Sequence, residues 1–250
     1  MKRIVALAYG VACYVMFLGT FLYAIGFLGN IALPKSIDAA AEGPLGEALL
    51  VNALLVGAFA LQHSGMARPG FKRWWTRLVP QPVERSTYVL CSNLALLLLF
   101  WQWRPTGGVL WDVRQPVGQA ILYGAFAFGW LTVLVTTCLI NHFDLFGLRQ
   151  VWLHFRGQEY TPLGFVTPGP YRWVRHPLYV GWLTAFWATA TMTVAHLVFT
   201  LGTTVYILIA ICLEERDLTQ AYGRAYVEYR ERVPMLVPRW SRGAATSRVG

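Results

Sequence analysis

Charged residues are scarce in this sequence. Of its 250 residues, only 13% are Asp, Glu, Lys or Arg, whereas 56% are hydrophobic. An ordinary soluble domain has about 25% charged residues. A water-soluble fold of this composition would expose a large apolar surface, so we predict a protein covered by lipid.

Cysteine is also rare, and its pattern excludes two further classes. The four cysteines lie in separate apolar runs and form no C-x-x-C pair, which argues against a zinc site and against a disulfide framework. We therefore predict packing roles for them and no metal. The sequence also lacks a low-complexity segment and a clear internal repeat, which favours one membrane domain over residues 1–250.

Long uncharged runs are present instead, and a helix needs about 20 apolar residues to cross a bilayer. Four single runs are Ile4–Pro34, Ala48–Ala67, Ser86–Trp103 and Val117–Ile140. The first is too long for the apolar core of a cleavable signal peptide, so we expect a span there.

A fifth apolar run, from Pro177 to Leu213, is nearly twice as long as one span. It predicts a hairpin of two helices, Leu178–Val194 and Leu197–Leu213, with a turn near Ala195 and His196. The fold class is thus an all-α polytopic bundle of five or six spans. If both arms of the hairpin cross the membrane, the chain has six spans. If the hairpin is re-entrant and stops short of the far side, the chain has four spans and this hairpin.

Basic residues are unevenly distributed between the loops. Lys35, Arg104 and Arg114 lie on one side, and the other 18 of the 21 Lys and Arg residues lie on the side with both termini. The positive-inside rule makes that side cytoplasmic, so both termini are expected in the cytoplasm. The charge is spread over juxtamembrane loops, which favours membrane lipids over nucleic acid as the partner, and no obligate protein partner is evident.

Ionisable residues cluster where spans end, and there they can line a cavity. One cluster, Asn141–Gln150, contains His142, Asp144 and Arg149. A second, residues 167–181, has Pro177 at the expected start of a helix with His176 as its N-cap, where free N–H groups favour an anion.

The third cluster, Glu214–Leu218, follows the last span and precedes an amphipathic stretch that predicts a C-terminal helix on the membrane face. The hairpin brings Glu214 and His176 to the same side. For His63, at the end of span two, we expect a hydrogen-bonded boundary residue rather than a ligand. Together, His63, His142 and His176 leave open a haem- or quinone-binding protein.

The last third of the chain resembles the isoprenylcysteine carboxyl methyltransferase family. Five elements occur in the family order: G-x-Y, R-H-P-x-Y-x-G, E-E-x-x-L, Y-G-x-x-Y-x-x-Y and V-P, at Gly169–Tyr171, Arg175–Gly181, Glu214–Leu218, Tyr222–Tyr229 and Val233–Pro234. One departure is Ala210, which stands where the prenylcysteine enzymes carry a substrate-contacting arginine, and it implies a substrate without a carboxylate.

The resemblance implies a membrane methyltransferase that binds S-adenosylmethionine without a Rossmann fold. Residues 141–240 would form its core, 1–140 its N-terminal spans and 241–250 a flexible tail. The implied cofactor contacts are Leu163, Gly164, Phe165, Val166, Tyr171, His176, Pro177, Leu178, Tyr179 and Glu214. Aromatic faces and a carboxylate suit the sulfonium and the ribose of such a cofactor.

The whole chain is also similar to the bacterial methanethiol S-methyltransferases, including Gln62–Pro69, Arg73–Arg77 and the run from Asn141 to Gln150. This similarity implies methylation of methanethiol to dimethyl sulfide. A thiol is mostly protonated at neutral pH, so some group must accept its proton. We expect His142 as that base with Asp144 orienting it or relaying the proton, and Asn141 and Arg149 near the substrate. A lipid-like or prenylated thiol or carboxylate remains an alternative acceptor.

Overall fold

The computed structural model describes residues 2–41 and 43–239, so the predicted tail 241–250 lies outside the described residues. The helices are α1 (Arg3–Gly29), α2 (Leu45–Ala67), α3 (Pro69–Trp75), α4 (Gln81–Gln102), α5 (Pro116–Ile140), α6 (His142–Leu145), α7 (Leu148–Arg156), α8 (Pro177–Trp187), α9 (Val194–Tyr222) and α10 (Arg224–Arg232). Two short strands, β1 (Val109–Asp112) and β2 (Thr191–Thr193), pair antiparallel. The all-α membrane bundle predicted from the sequence is confirmed.

Five helices, α1, α2, α4, α5 and α9, are long and apolar enough to cross a membrane. Helix α8 has only 11 residues, which rise about 16 Å and cannot cross a hydrocarbon core of about 30 Å alone. The predicted hairpin is thus asymmetric, with a short first arm and an α9 of 29 residues that continues past Glu214 to Tyr222.

The turn of the hairpin is not near Ala195 and His196, so that prediction is wrong. Residues 188–193 make the turn and β2, and α9 begins at Val194. Thr193 caps α9 by accepting a hydrogen bond from the backbone N–H of His196 at 3.2 Å. A polar histidine is tolerated inside the helix because Asp38 pairs with it.

The two ends of the bundle differ. We call the end with α3, α6, α7 and α10 the basic face, and the end with β1 and β2 the opposite face. Arg3 lies beside Gly157, and Met235 accepts a backbone hydrogen bond from His176. Both ends of the described chain therefore lie at the basic face.

Asp38 joins the loops of the opposite face. Its carboxylate pairs with Nδ1 of His196 at 2.8 Å and accepts from the Thr193 hydroxyl at 2.6 Å and from Asn30 at 2.8 Å. Burial opposes ionisation of Asp38, but these hydrogen bonds outweigh it and lower the pKa of the carboxyl. A cavity of about 230 Å³ beside Asp38 lies at the other end of the bundle from Glu214.

Helix α8 packs closely on α5 because two glycines meet. A Cβ on Gly129 would lie 2.6 Å from the backbone N of Ala185, and one on Gly181 would lie 2.9 Å from the carbonyl oxygen of Gly129. Small residues let membrane helices approach at backbone distance. This contact fixes the position of α8, which carries Tyr179 one turn inside the basic face.

Candidate active site

The site begins where α8 starts and α9 leaves the apolar bundle. Pro177 occupies the first turn of α8, and His176 is its N-cap, as predicted. The residues just before α8 are bonded to the segment that follows α10. The backbone N–H groups of Arg175 and His176 donate to the carbonyls of Pro234 and Met235 at 2.8 and 3.2 Å. The tail thus folds back onto the hairpin.

Glu215 ties these segments together. One of its oxygens, Oε1, lies 2.7 Å from Nε of Arg175 and 3.0 Å from Nε2 of His176. The same arginine donates to the carbonyls of Arg230 and Val233. All three side chains are nearly buried, so this cluster holds the segment after α10 against the hairpin.

Glu214, the neighbouring residue, is differently placed. Its Oε2 accepts a hydrogen bond from the Tyr179 hydroxyl at 2.9 Å, and Nδ1 of His176 lies 3.9 Å away. Its side chain is 44% exposed, against 13% for Glu215. Of the two carboxylates, Glu214 is therefore the one that can accept hydrogen bonds from a ligand.

Aromatic rings form a cluster where Phe165 packs against the end of α9 and the start of α10. The Phe165 ring centroid lies 5.2 Å from that of Tyr222, 5.7 Å from Tyr226 and 5.4 Å from Tyr229. The Tyr222 hydroxyl donates to the carbonyl of Leu163 at 3.4 Å. The predicted segment Leu163–Val166 therefore packs against the end of α9 and the start of α10.

Two buried tyrosines lie in this region. Tyr226 is buried, and its hydroxyl has no hydrogen-bond partner within residues 2–41 and 43–239. Tyr171 is buried near Glu214, and burial, followed by the Glu214 charge, raises the pKa of its phenol. Both tyrosines therefore remain neutral hydrogen-bond donors at pH 7.

His142 lies at the end of α5 with both ring nitrogens in hydrogen bonds. Nδ1 is 2.9 Å from Oγ1 of Thr137, and Nε2 is 2.9 Å from the Tyr14 hydroxyl. Because the Thr137 hydroxyl donates to the carbonyl of Leu134, it accepts from Nδ1–H, and Nε2 is left as an acceptor. Burial lowers the pKa of His142, so this residue is a neutral base at pH 7.

In the described part of the chain Asp144 makes no hydrogen bond to His142, so it does not orient the ring directly. The Asp144 carboxylate pairs with Arg149 at 2.9 Å and accepts from the Tyr160 hydroxyl at 3.3 Å. Asn141 caps the same turn by accepting from the Asp144 backbone N–H at 3.0 Å. The four-residue helix α6 directs His142 inward and Asp144 toward the loop at 160–161, which separates the two networks.

A second histidine–tyrosine pair joins α2 to α4. Nε2 of His63 lies 2.9 Å from the Tyr88 hydroxyl, and Nδ1 lies 3.1 Å from Oγ of Ser92. The expectation of a hydrogen-bonded His63 is therefore confirmed. Three residues of these networks, Tyr14, Tyr88 and Glu215, were not predicted. Only Glu215 had a signal in the sequence, its place in the E-E-x-x-L motif.

The predicted site residues thus form two groups at the basic face. The implied cofactor contacts cluster around the hairpin, and Asn141, His142, Asp144 and Arg149 lie at the end of α5. The groups are neighbours, because a Cβ on Gly169 would lie 3.3 Å from Leu139 in the last turn of α5.

Comparison with known proteins agrees with this architecture. Residues 121–225, from α5 to the start of α10, match the family model described as phospholipid methyltransferase. The fold and this match define the class of the protein, which is an integral membrane methyltransferase. No solved structure matches the chain.

The chain belongs to the methanethiol S-methyltransferase family. It is 60% identical over 95% of its length to the methanethiol S-methyltransferase of Crocosphaera subtropica and covers 93% of that protein. It is 56% identical to the Mycobacterium tuberculosis protein of that name and covers 98% of it. It is 53% identical to methanethiol S-methyltransferase 2 of Bradyrhizobium diazoefficiens, with 91% covered.

Proposed function

We propose that the protein transfers a methyl group from S-adenosylmethionine to methanethiol, giving dimethyl sulfide and S-adenosylhomocysteine. The observation that carries this proposal is the 60% identity to a relative of that name over nearly its whole length. The half-exposed Glu214 beside Tyr179, at a membrane face, supports it because the donor is a polar cation and the acceptor is small and apolar.

The residues around Glu214 suit the donor chemically. A carboxylate accepts hydrogen bonds from ribose hydroxyls, and it attracts a sulfonium. The free N–H groups at the start of α8 suit the donor's own carboxylate. The unpartnered Tyr226 hydroxyl and the face of Phe165 add a donor and an aromatic surface. When bound, S-adenosylmethionine supplies the methyl group on a positively charged sulfur.

We propose that the donor site includes every residue that the resemblance implies as a cofactor contact. His176 would contribute through Nδ1, since its Nε2 is held by Glu215 and its backbone N–H donates to Met235. The proposed contacts are Leu163, Gly164, Phe165, Val166, Tyr171, His176, Pro177, Leu178, Tyr179 and Glu214. Residues 141–240 form the methyltransferase core in this proposal, and 1–140 form the supporting spans.

We propose His142 as the base to which the proton of the thiol finally passes. Its acceptor nitrogen Nε2 faces Tyr14, and its position at the end of α5 allows exchange with water. Asp144 supports the same site indirectly, because its pair with Arg149 and the cap from Asn141 hold α6 in position. Asn141 and Arg149 would thereby shape the entrance for substrate.

The basic face would lie in the cytoplasm of a bacterium, with the protein in the inner membrane. The concentration of Lys and Arg at the ends of α3, α7 and α10 supports this orientation. The donor, a water-soluble cation, would enter from that side. Methanethiol is small and apolar and would arrive through water or lipid.

The decisive experiment is direct. Detergent-purified protein is incubated with S-adenosylmethionine labelled in its methyl group and with methanethiol, and labelled dimethyl sulfide is measured in the headspace. We expect labelled dimethyl sulfide to form, and we expect it to form also when a prenylated cysteine is added as a competing acceptor. Labelling of the prenylated cysteine alone, or of neither acceptor, would refute the proposal.

A further inference from the structure

A groove lies between α1 and α4 near the opposite face. Its volume is about 530 Å³, and the residues that line it are Tyr23, Lys35, Leu97, Phe100 and Trp101. Phe100 is buried, and its ring lies 5.3 Å from that of Tyr23, so these two rings join the helices at the floor of the groove. The volume is within the range of sites that hold organic ligands.

The groove begins at the boundary of the apolar bundle. Trp101 is adjacent to Gln102, the last residue of α4, and Leu97 lies about one turn deeper. Tyr23 lies about 9 Å before the end of α1 at Gly29. Both helices are long and apolar enough to cross a membrane. The groove therefore extends from the membrane–water boundary into the layer that lipid chains occupy.

The side of the groove is open to lipid. Leu22 and Leu98, which adjoin Tyr23 and Leu97 in the sequence, are exposed, and Trp101 is 71% exposed. Lipid tails are as apolar as leucine, so they cover such side chains. Tryptophan is enriched where a span meets the head groups. An acyl chain can therefore enter the groove sideways from the surrounding leaflet.

Lys35 is held at the mouth of the groove. Its ammonium donates to the carbonyl of Trp101 at 3.1 Å, and this carbonyl is at the negative end of the α4 dipole. An ammonium has three donors, so this bond leaves two for another acceptor. Asp38, the nearest acid in the sequence, is paired with His196 instead. The charge of Lys35 is thus placed at the level of the lipid head groups.

Positive charge is otherwise scarce at this face. Only Lys35, Arg104 and Arg114 are expected there, out of 21 Lys and Arg residues, and Arg114 pairs with Asp112. A single ammonium beside an apolar groove matches a ligand with one negative head group and a hydrocarbon chain. A soluble anion would make no use of the groove, and a neutral apolar molecule would make no use of the ammonium. An anionic phospholipid has both parts.

We propose that the groove binds one anionic phospholipid of the adjacent leaflet, with phosphatidylglycerol as its simplest representative. The phosphate accepts hydrogen bonds from the Lys35 ammonium. One acyl chain lies along Leu97 and Phe100, and Trp101 packs beside the glycerol. The bound lipid joins α1, α4 and the loop between α1 and α2, so it stabilises the folded chain by mass action.

Quenching by brominated acyl chains tests this inference. Detergent-purified protein is titrated with phosphatidylglycerol or phosphatidylcholine that carries bromine on its chains, and tryptophan fluorescence is recorded. Trp101→Phe identifies the part of the signal that comes from the groove. Lys35→Gln removes the charge, and Lys35→Arg keeps it. Arg114→Gln is the matched control, because it removes one charge from the same face at a side chain that is 88% exposed.

We expect brominated phosphatidylglycerol to quench the Trp101 signal of the wild type, and Lys35→Gln to weaken this binding about 5-fold. One lysine near an anionic surface contributes about 1 kcal/mol, which corresponds to that factor. Lys35→Arg and Arg114→Gln should bind as the wild type does. Phosphatidylcholine should bind the wild type more weakly, and Lys35→Gln should remove the difference between the two lipids.

Thermal unfolding gives a second measurement. Phosphatidylglycerol should raise the melting temperature of the wild type and of Arg114→Gln above the value reached in phosphatidylcholine, and this excess should be absent in Lys35→Gln. Glycerol phosphate, which has the charge but no chain, should neither stabilise the protein nor displace the brominated lipid.

Equal weakening in Lys35→Gln and Arg114→Gln would mean a general effect of surface charge and would overturn this inference. Equal affinities of the two lipids for the wild type, displacement by glycerol phosphate, or quenching that is unchanged in Trp101→Phe would overturn it as well. None of these measurements involves methyl transfer, so their outcome is separate from that of the dimethyl sulfide assay.

Discussion

Nε2 of His176 and Oε1 of Glu215 lie 3.0 Å apart, and both side chains are almost fully withdrawn from solvent. The adjacent carboxylate, Glu214, keeps 44% of its side chain exposed. Two consecutive acids in one helix therefore have different roles. Glu215 holds the tail to the hairpin, whereas Glu214 is available for the methyl donor.

Replacement of Glu214 by Gln is expected to weaken S-adenosylhomocysteine binding roughly 10- to 100-fold, since a hydrogen bond to a charged group contributes about 1.5–3 kcal/mol. Isothermal titration calorimetry measures this change. Glu228→Gln is the control, because Glu228 pairs with Arg224 on the exposed side of α10. Wild-type affinity in Glu214→Gln would contradict the donor site.

The Glu215→Gln variant is expected to lose stability instead. Arg175 and His176 would remain buried without their carboxylate, and such a loss costs about 3–5 kcal/mol. The melting temperature in detergent should fall by roughly 6–20 °C. Glu214→Gln should melt within about 2 °C of the wild type. If both variants melt alike, the assignment of different roles fails.

The pH dependence of kcat/KM should reflect His142. Burial lowers its pKa from the ordinary value near 6.5, so the neutral form persists as the pH falls through 6.5. Activity is lost only below the lowered pKa, and the acid limb of the profile should have its midpoint below 6.5. In His142→Ala this limb should vanish. A variant that keeps it would remove His142 from the proton path.

Gly181→Ala should separate α8 from α5. The new methyl group would meet the backbone of Gly129 and Val133 at 2.9–3.0 Å, and overpacking of this kind costs about 1–3 kcal/mol. We expect a lower melting temperature and weaker donor binding, because Tyr179 moves with α8. Gly124→Ala on α5, with no atom within 4 Å of its Cβ, should change neither. Equal effects would exclude helix separation as the cause.

Much of this fold follows from hydropathy. The ends of α2, α4 and α5 lie close to the limits of the predicted spans, because an uncharged run of about 20 residues has few alternatives in lipid. The start of α8 was predicted, but its C-terminal end and both ends of α9 were not. His196 resembles a turn residue until its partner Asp38, 158 residues away, is known, and no local pattern reveals such a partner.

Part of the candidate site could also be predicted from the sequence. The C-terminal motifs indicated Glu214, Tyr179 and the segment at Leu163–Val166, and these residues do cluster around the hairpin. The partner of His142 could not be predicted. Tyr14 lies in a uniformly apolar helix, and its role depends on how α1 packs against the end of α5. Helix packing of this kind is not encoded in the spacing of residues along one helix.

The Asp38 network has a consequence for turnover. Its contact with His196 and its hydrogen bonds bind the loop after α1 to the hairpin turn. In the proposed function, the methyl donor and the demethylated product would both pass through the basic face. The product would then have to leave that face before the next donor binds.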